Sequence, residues 1–431
     1  MFRTLLASTL LLAAASACDK APRSPADSLD AAAQDYVRLQ LAIGEKEDGY
    51  IDAYYGPEAL KAEGKAMGAS SNLEVLQKRA EDLRARVDKL GSGASADDAR
   101  RARFLSAQLT AAVTRLRMLR GEKLSFDEEA KGLFGLTPQR QPLSSLDPVL
   151  ASIDKLLPGP GALADRVDAF QNRFVVPTDK LQAVFDEAIA GCKARTVQHI
   201  KLPPGEHFTL AFVTGKSWGG YNYYQGKYNS RIEINTDLPA RISRAVDLGC
   251  HEGYPGHHVL NSLLEERLTR GRGWIEFSVY PLYSPQSVIA EGSANYGIHL
   301  AFPGKEKAQF EASRLYPLAG LNPGDAERYD ALLNAMDRLG SARVTIEADF
   351  LDGKITEEQA IALERKYMLL SEERAKKALS FAKQYRSYIL NYGLGQDMVR
   401  ADVEKQATPA ARWKRFEQII SEPTLPSDLK G

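Results

Sequence analysis

The sequence is short of cysteine, of charge of one sign and of long apolar runs, and each shortage excludes something. Three cysteines occur, at positions 18, 192 and 250, so beyond Cys18 at most one disulfide can form. Whether Cys192 and Cys250 meet, or Cys250 is a small buried residue beside the motif that follows it, stays open at this point. Basic and acidic side chains number 56 each, with no run of one sign. That balance argues against a nucleic-acid partner, which normally demands a basic face. After the first residues no stretch approaches the roughly 20 apolar residues that a membrane-spanning helix needs. No internal repeat is visible. What is present is 44% apolar content over 431 residues, ample for a large core.

The opening MFRTLLASTLLLAAASAC carries the marks of an export signal. Arg3 supplies the positive end, Leu5 to Ala15 the apolar region, and Ala15-Ser16-Ala17 a small-residue cleavage site. Ending on Cys18, it resembles the lipobox of bacterial lipoproteins, in which the cysteine is acylated. An ordinary cleaved signal is the alternative. Both take the mature protein out of the cytoplasm, and the first anchors it in the cell envelope on the periplasmic or extracellular side. The expected organisation is a signal peptide over 1–17, a polar tether over 18–27, a helical part over 28–200 and a second part over 201–431, packed as one unit.

Apolar residues recur every three or four positions from Arg79 to Leu90 and from Ala99 to Leu119, which predicts helices. GYIDAYYGP (Gly49 to Pro57) is expected to turn between two helices. Between Pro203 and Pro239 the composition shifts to β-favouring residues, predicting a small antiparallel sheet of two or three strands. Helical patterning returns from Ala240. The fold class expected is therefore mainly α, with one small sheet ahead of the motif that carries chemistry.

That motif is His251-Glu252-Gly253-Tyr254-Pro255-Gly256-His257-His258. In the familiar HExxH pattern, histidines four apart share one helix face and reach one zinc ion, while the glutamate addresses its water. Here the next histidine comes late. In an unbroken helix His257 would lie about 9 Å along the axis from His251, and His258 about 10.5 Å. Zn–N bonds are about 2.0–2.1 Å, so two of these rings can share an ion only if the helix breaks at Pro255-Gly256. Pro removes a helical N–H and Gly tolerates unusual dihedrals, which suits that pair to the task. Some thirty residues on, Glu291 opens Glu291-Gly292-Ser293-Ala294, a helical segment whose small residues allow close helix packing. A zinc site of the gluzincin type takes its third ligand from such a glutamate and leaves a fourth position open.

HExxPGHH followed by an EGxA helix resembles the family named domain of unknown function 885, whose members are regarded as gluzincin-like zinc metallopeptidases; Ser293 stands where that family usually has Trp. Ala342 to Ile361 (ARVTIEADFLDGKITEEQAI) and Tyr388 to Val399 (YILNYGLGQDMV) are similar to two further segments of the family. The resemblance implies His251, His257 and Glu291 as ligands of one zinc, with His258 as the alternative ligand or a supporting residue. It implies Glu252 as the general base for peptide hydrolysis. It makes Arg343, Tyr388 and Tyr392 candidates for holding the oxyanion or a substrate carboxylate. A strand ahead of the metal helix would pair with a peptide substrate, which points to Ile232, Ile234 and Asn235, with Tyr254 beside them.

Blander readings stand next to these. Arg343 is a common kind of salt-bridge residue, Tyr388 and Tyr392 share a helix face that could be core, and the tyrosines at 221, 223, 224 and 228 could line a groove or cover the sheet. His199, His207 and His299 are expected to pack rather than ligate. Two other functions fit the motif: a lipoprotein that binds peptide or metal without catalysis, and a zinc hydrolase of another amide or an ester. The acidity of Glu252 counts against the first.

Overall fold

The computed structural model describes residues 28–429. The export signal, Cys18 and the tether lie outside the described residues. The chain is mainly helical, and its helices begin where the sequence supplies side-chain caps. Ser28, Asn72 and Ser95 each accept a hydrogen bond from a first-turn amide. Ser125 with Glu128, and Thr356 with Gln359, form reciprocal capping boxes. Among the described residues no helix is long and apolar enough to cross a membrane.

Gly49 to Pro57 is more than the turn expected of it. It contains a strand, β1 (Ile51–Tyr54), paired antiparallel with a three-residue strand β5 (Val279–Pro281). The amide of Leu282 donates to Tyr50 O and that of Tyr55 to Ser278 O, extending the ladder at both ends. A strand whose partner lies so far downstream leaves only a faint local pattern.

The segment ahead of the motif folds into β2 (His207–Val213), β3 (Gly220–Gly226) and β4 (Asn229–Asn235), in the order β2-β4-β3. Antiparallel pairing holds for the β3–β4 hairpin, but β2 runs parallel to β4, so this sheet is mixed. The hairpin turns through Lys227 and Tyr228, both at positive φ (54° and 63°) without being glycine. The buried Glu265 compensates. It accepts from both turn amides, at 3.1 and 3.4 Å, and from the hydroxyl of Tyr224 at 2.6 Å.

Two apolar clusters make the core. One gathers the helices of the first 136 residues with Val279, Leu282, Tyr388 and Leu390. The other holds the sheet, the helix Leu181–Thr196 and most of the chain that follows. A cleft of about 780 Å³ opens at their junction, with Leu282 and Tyr388 on one wall and Ile234 and Leu248 on the other.

Candidate metal centre

The break required between the histidines is present. An α-helix over Ser243–Leu248 runs into a π-helical turn, Gly249–Gly253. Tyr254 is extended, the Tyr254–Pro255 peptide is cis, and a new helix begins at His257–Leu264. The chain doubles back so tightly that the Gly256 amide donates to Cys250 O at 3.0 Å. A Cβ at Gly256 would lie 1.8 Å from His251 O, so only glycine fits. Cys250 is covalently tied to Cys192 on the helix Leu181–Thr196, which anchors the turn from behind and settles the pairing left open by the sequence.

The fold-back brings His251 Nε2 and His257 Nε2 to 3.1 Å. Glu291, on the helix Pro285–Ala301, completes the group: Oε2 lies 3.2 Å from His251 Nε2 and Oε1 3.7 Å from His257 Nε2. The small residue after it works as the sequence suggests. A Cβ at Gly292 would sit 2.4 Å from the backbone of Gly395 on the helix Leu390–Val403, so the two helices touch at glycine.

These distances fit a metal. Ligands bound tetrahedrally at about 2.0–2.1 Å are separated from one another by about 3.3 Å; His251 Nε2 meets that value toward both His257 Nε2 and Glu291 Oε2, and one donor atom from each of the three residues lies within 4.8 Å of the other two. The protonation pattern agrees. Asn295 Nδ2 donates to Tyr392 O at 3.0 Å, which fixes its amide and turns Oδ1 toward His251 Nδ1 at 2.9 Å. Oδ1 can only accept, so Nδ1 carries a proton, which leaves Nε2 as the nitrogen available to a metal. Glu291 Oε2 is buried, with His251 Nε2 as its near neighbour at 3.2 Å. Two imidazole nitrogens and a buried carboxylate grouped in this way can hold a cation. Burial alone would raise the Glu291 carboxyl, but the charges and hydrogen bonds of His257 and His251 hold it well below the usual carboxylate range. Tyr388 fixes its other oxygen, donating to Oε1 at 2.7 Å.

Glu252 is buried and borders the cleft next to this group. Its Oε1 would be 2.8 Å from a Cβ at Gly220, so the bare backbone of β3 makes its space. Asn222 secures the backbone beneath, donating from Nδ2 to Glu252 O at 2.7 Å. Burial pushes the Glu252 carboxyl up to about 7, against the lowering effect of His251. A carboxylate raised in this way can both take and return a proton near neutral pH.

Asp52 of β1 also faces the cleft and accepts the hydroxyl hydrogen of Tyr221. Burial raises it to about 6, opposed by Tyr221 and by the charge of His257. Strand alternation divides the tyrosines: Tyr221 borders the cleft, whereas Tyr224 is buried against Glu265.

Several expectations need correction. His258 points away from the cluster, with Nδ1 on Ser230 Oγ and Nε2 on Glu206 Oε2, both at 2.8 Å, because consecutive helical residues diverge by about 100°. The same Glu206 oxygen accepts from Tyr254 at 2.6 Å. Burial would raise Glu206, yet His258, Lys193 and Tyr254 together bring it down to about 2. Tyr254 therefore braces the broken helix from beneath and does not border the cleft. Ile232 is a core residue of β4, while Ile234, also buried, borders the cleft as Asn235 does; but β4 is the central strand with both edges paired. No peptide can add to it. Asn235 holds the neighbouring loop, donating to Lys216 O and Trp218 O at 2.8 Å. His299 borders the cleft but stands outside the ligand group, His199 stacks on Trp413, and His207 turns back to Gly205 O.

Arg343 and Tyr392 both border the cleft, the guanidinium lying over the Phe381 and Tyr392 rings. Arg343 Nε donates to Glu347 Oε1 at 3.1 Å. Behind it Glu347 and Glu364 are fully buried together. Burial, and then the charge of Glu347, push the Glu364 carboxyl well up. The folded state thus holds a proton that the unfolded chain releases above the ordinary carboxylate range. Stability should fall as pH rises between that range and the raised value. Glu364→Gln keeps a neutral group there and should gain about 1–3 kcal/mol over the parent at pH 8, with little gain at pH 5. Urea unfolding at the two pH values reads this, and an equal effect at both would refute it.

Comparison with known proteins follows from this geometry. No family model and no curated protein matches the chain. Among solved structures, a lipoprotein candidate from Colwellia psychrerythraea is similar at a TM-score of 0.53 and 14% identity, over 86% of this chain and 72% of that one. That likeness shows the fold alone. The M32 carboxypeptidase of Deinococcus radiodurans R1 aligns at a TM-score of 0.48 and 13% identity, over 91% of this chain and 89% of its own. A lipoprotein candidate of unknown function from Shewanella oneidensis aligns at 0.46 and 14%, over 90% and 83%.

Proposed function

We propose that this protein is a zinc-dependent peptidase, exported and held at the bacterial cell envelope through a lipidated Cys18. The observation that carries the reading is the meeting of His251 Nε2, His257 Nε2 and Glu291 at tetrahedral ligand spacing, on a wall shared with Glu252. One zinc held by these residues supplies Lewis acidity and acidifies water. Glu252 takes a proton from the attacking water and returns it to the leaving amine. Asn295 and Tyr388 keep His251 and Glu291 in place, and Tyr392 and Arg343 stand where a developing negative charge could be met. The buried Cys192–Cys250 disulfide agrees with an oxidising compartment.

Elemental analysis of the purified protein lacking residues 1–18 tests the site. About one zinc per chain is expected, lost in His251→Ala, His257→Ala and Glu291→Ala and retained in His258→Gln. A wild type that takes up no zinc on incubation sinks the peptidase reading and leaves the binding lipoprotein in its place.

A further inference from the structure

Beyond Glu252 the cleft is lined by Arg244, Lys307, Arg374 and Lys377 and by Asp247, Glu311, Asp330 and Asp337, and the charges pair unevenly. Lys377 holds Asp237 at 2.9 Å and Arg241 holds Asp168 at 2.6 Å. Lys307 bonds Asp247 closely and reaches Glu311 at 3.9 Å. Burial pushes Glu311 up to about 7, so it carries only part of a negative charge at neutral pH. Two guanidiniums are left with remainders. Arg244 approaches only Asp247, at 3.9 Å, and Arg374 only Asp168, also at 3.9 Å. Each of those carboxylates already serves another cation at shorter range. Arg374 also reaches Pro239 O at 3.4 Å. Burial lowers its basicity, and the charges of Arg241 and Arg244 lower it further against Asp168, as expected of crowded cations that share one anion.

Both guanidiniums border the cleft, and the Arg244 side chain is 49% exposed. The backbone leading into β3 measures how near Arg244 is to the chemistry. A Cβ at Gly219 would meet Arg244 Nη2 at 3.5 Å, and a Cβ at Gly220 would meet Glu252 Oε1 at 2.8 Å. The same two-residue stretch of backbone therefore borders both the Arg244 guanidinium and the general base.

We infer that Arg244 and Arg374 form a carboxylate subsite in the cleft, selecting peptides with a negative charge near the bond cleaved. The substrate class rests on the peptidase reading; the anion site itself does not. Guanidinium forks suit a planar carboxylate, and these two, each paired only at 3.9 Å with a carboxylate that serves another cation, can share one. The carboxylate has two sources, a chain's own C-terminus or an Asp or Glu side chain.

The zinc-loaded protein is assayed on peptide pairs that differ only in charge: free against amidated C-terminus, and internal Asp or Glu against Asn or Gln. In parallel, calorimetry measures binding of an N-acetyl amino acid and its neutral amide, which needs no turnover. Arg244→Gln should raise KM for one class of charged peptide, and weaken binding of the carboxylate probe, by about 10- to 100-fold. Binding of the amide should be unaffected. For peptides the charged-to-neutral ratio is the readout, because the charge of Arg244 also lowers Glu252 and its loss acts on every peptide alike. Arg374→Gln should act in the same sense. The class that loses its advantage identifies the source. Zinc content and melting temperature, unchanged in the variant, keep a folding defect apart from lost recognition. Carboxylate binding that depends on both arginines in a protein that cleaves nothing would sink the peptidase reading and leave the subsite standing. Equal handling of charged and neutral ligands by wild type, or an unchanged preference in a folded Arg244→Gln, overturns the subsite.

Discussion

Glu252→Gln should keep the zinc content of the wild type and lose peptide hydrolysis by about 10²–10⁴-fold, the contribution of a positioned general base. The substitution is nearly isosteric, and the space it must fill is already defined. The side chain lies against Gly220, and its backbone carbonyl is held by Asn222. Glu252 is not one of the three groups at ligand spacing, so the ion should stay. What glutamine cannot do is accept a proton at Oε1. Zinc analysis and peptide cleavage on the same preparation separate the outcomes. Hydrolysis at the parental rate would remove Glu252 from the chemistry, and loss of zinc would make it a ligand or a structural prop.

The proposed ligand residues were legible in the sequence because their motifs are local, the choice among them resting on the family resemblance. Two histidines, a Pro-Gly break and a glutamate followed by small residues are chemical requirements written over short stretches. The broken helix was even a stated condition, since an unbroken one would separate His251 and His257 by about 9 Å. The choice between His257 and His258 was less legible. It depends on which way the helix restarts after Gly256, and that is set by Glu206 and Ser230 holding His258. Asn295 lay inside the glutamate segment, four residues after Glu291 and so on its helix face, a spacing that could have marked it. Asp52 left almost no trace. It reaches the cleft because β1 pairs with β5, and no local pattern foretells that contact. The substrate strand was misplaced for a related reason. Composition showed that β4 is a strand, but only the parallel approach of β2 makes it central and closes its edge. Arg244 was overlooked because a lone arginine carries no signal; its meaning comes from carboxylates committed elsewhere.

Gly256→Ala should be the most damaging Gly→Ala substitution among the described glycines, costing more than about 4 kcal/mol, the range reserved for substitutions with a specific structural clash. The added carbon would lie 1.8 Å from His251 O, 2.4 Å from its carbonyl carbon and 2.5 Å from Cys250 O. Relief would require that backbone to move, and it is restrained on every side. Cys250 is disulfide-bonded to Cys192, His251 is bound by Asn295, and His258 is held two residues on by Ser230 and Glu206. Whatever yields, the 3.1 Å approach of the two imidazoles is lost, so stability and zinc should fall together. Gly393→Ala is the matched control. It lies within the helix Leu390–Val403 with nothing within 4 Å of its would-be Cβ. Alanine there should be neutral or stabilising by up to about 1 kcal/mol. Thermal unfolding and zinc content of the two variants, side by side, decide the matter. A Gly256→Ala protein that melts with the parent and keeps its zinc would mean that the helix does not break as described, and the tetrahedral arrangement of ligands would fall with it.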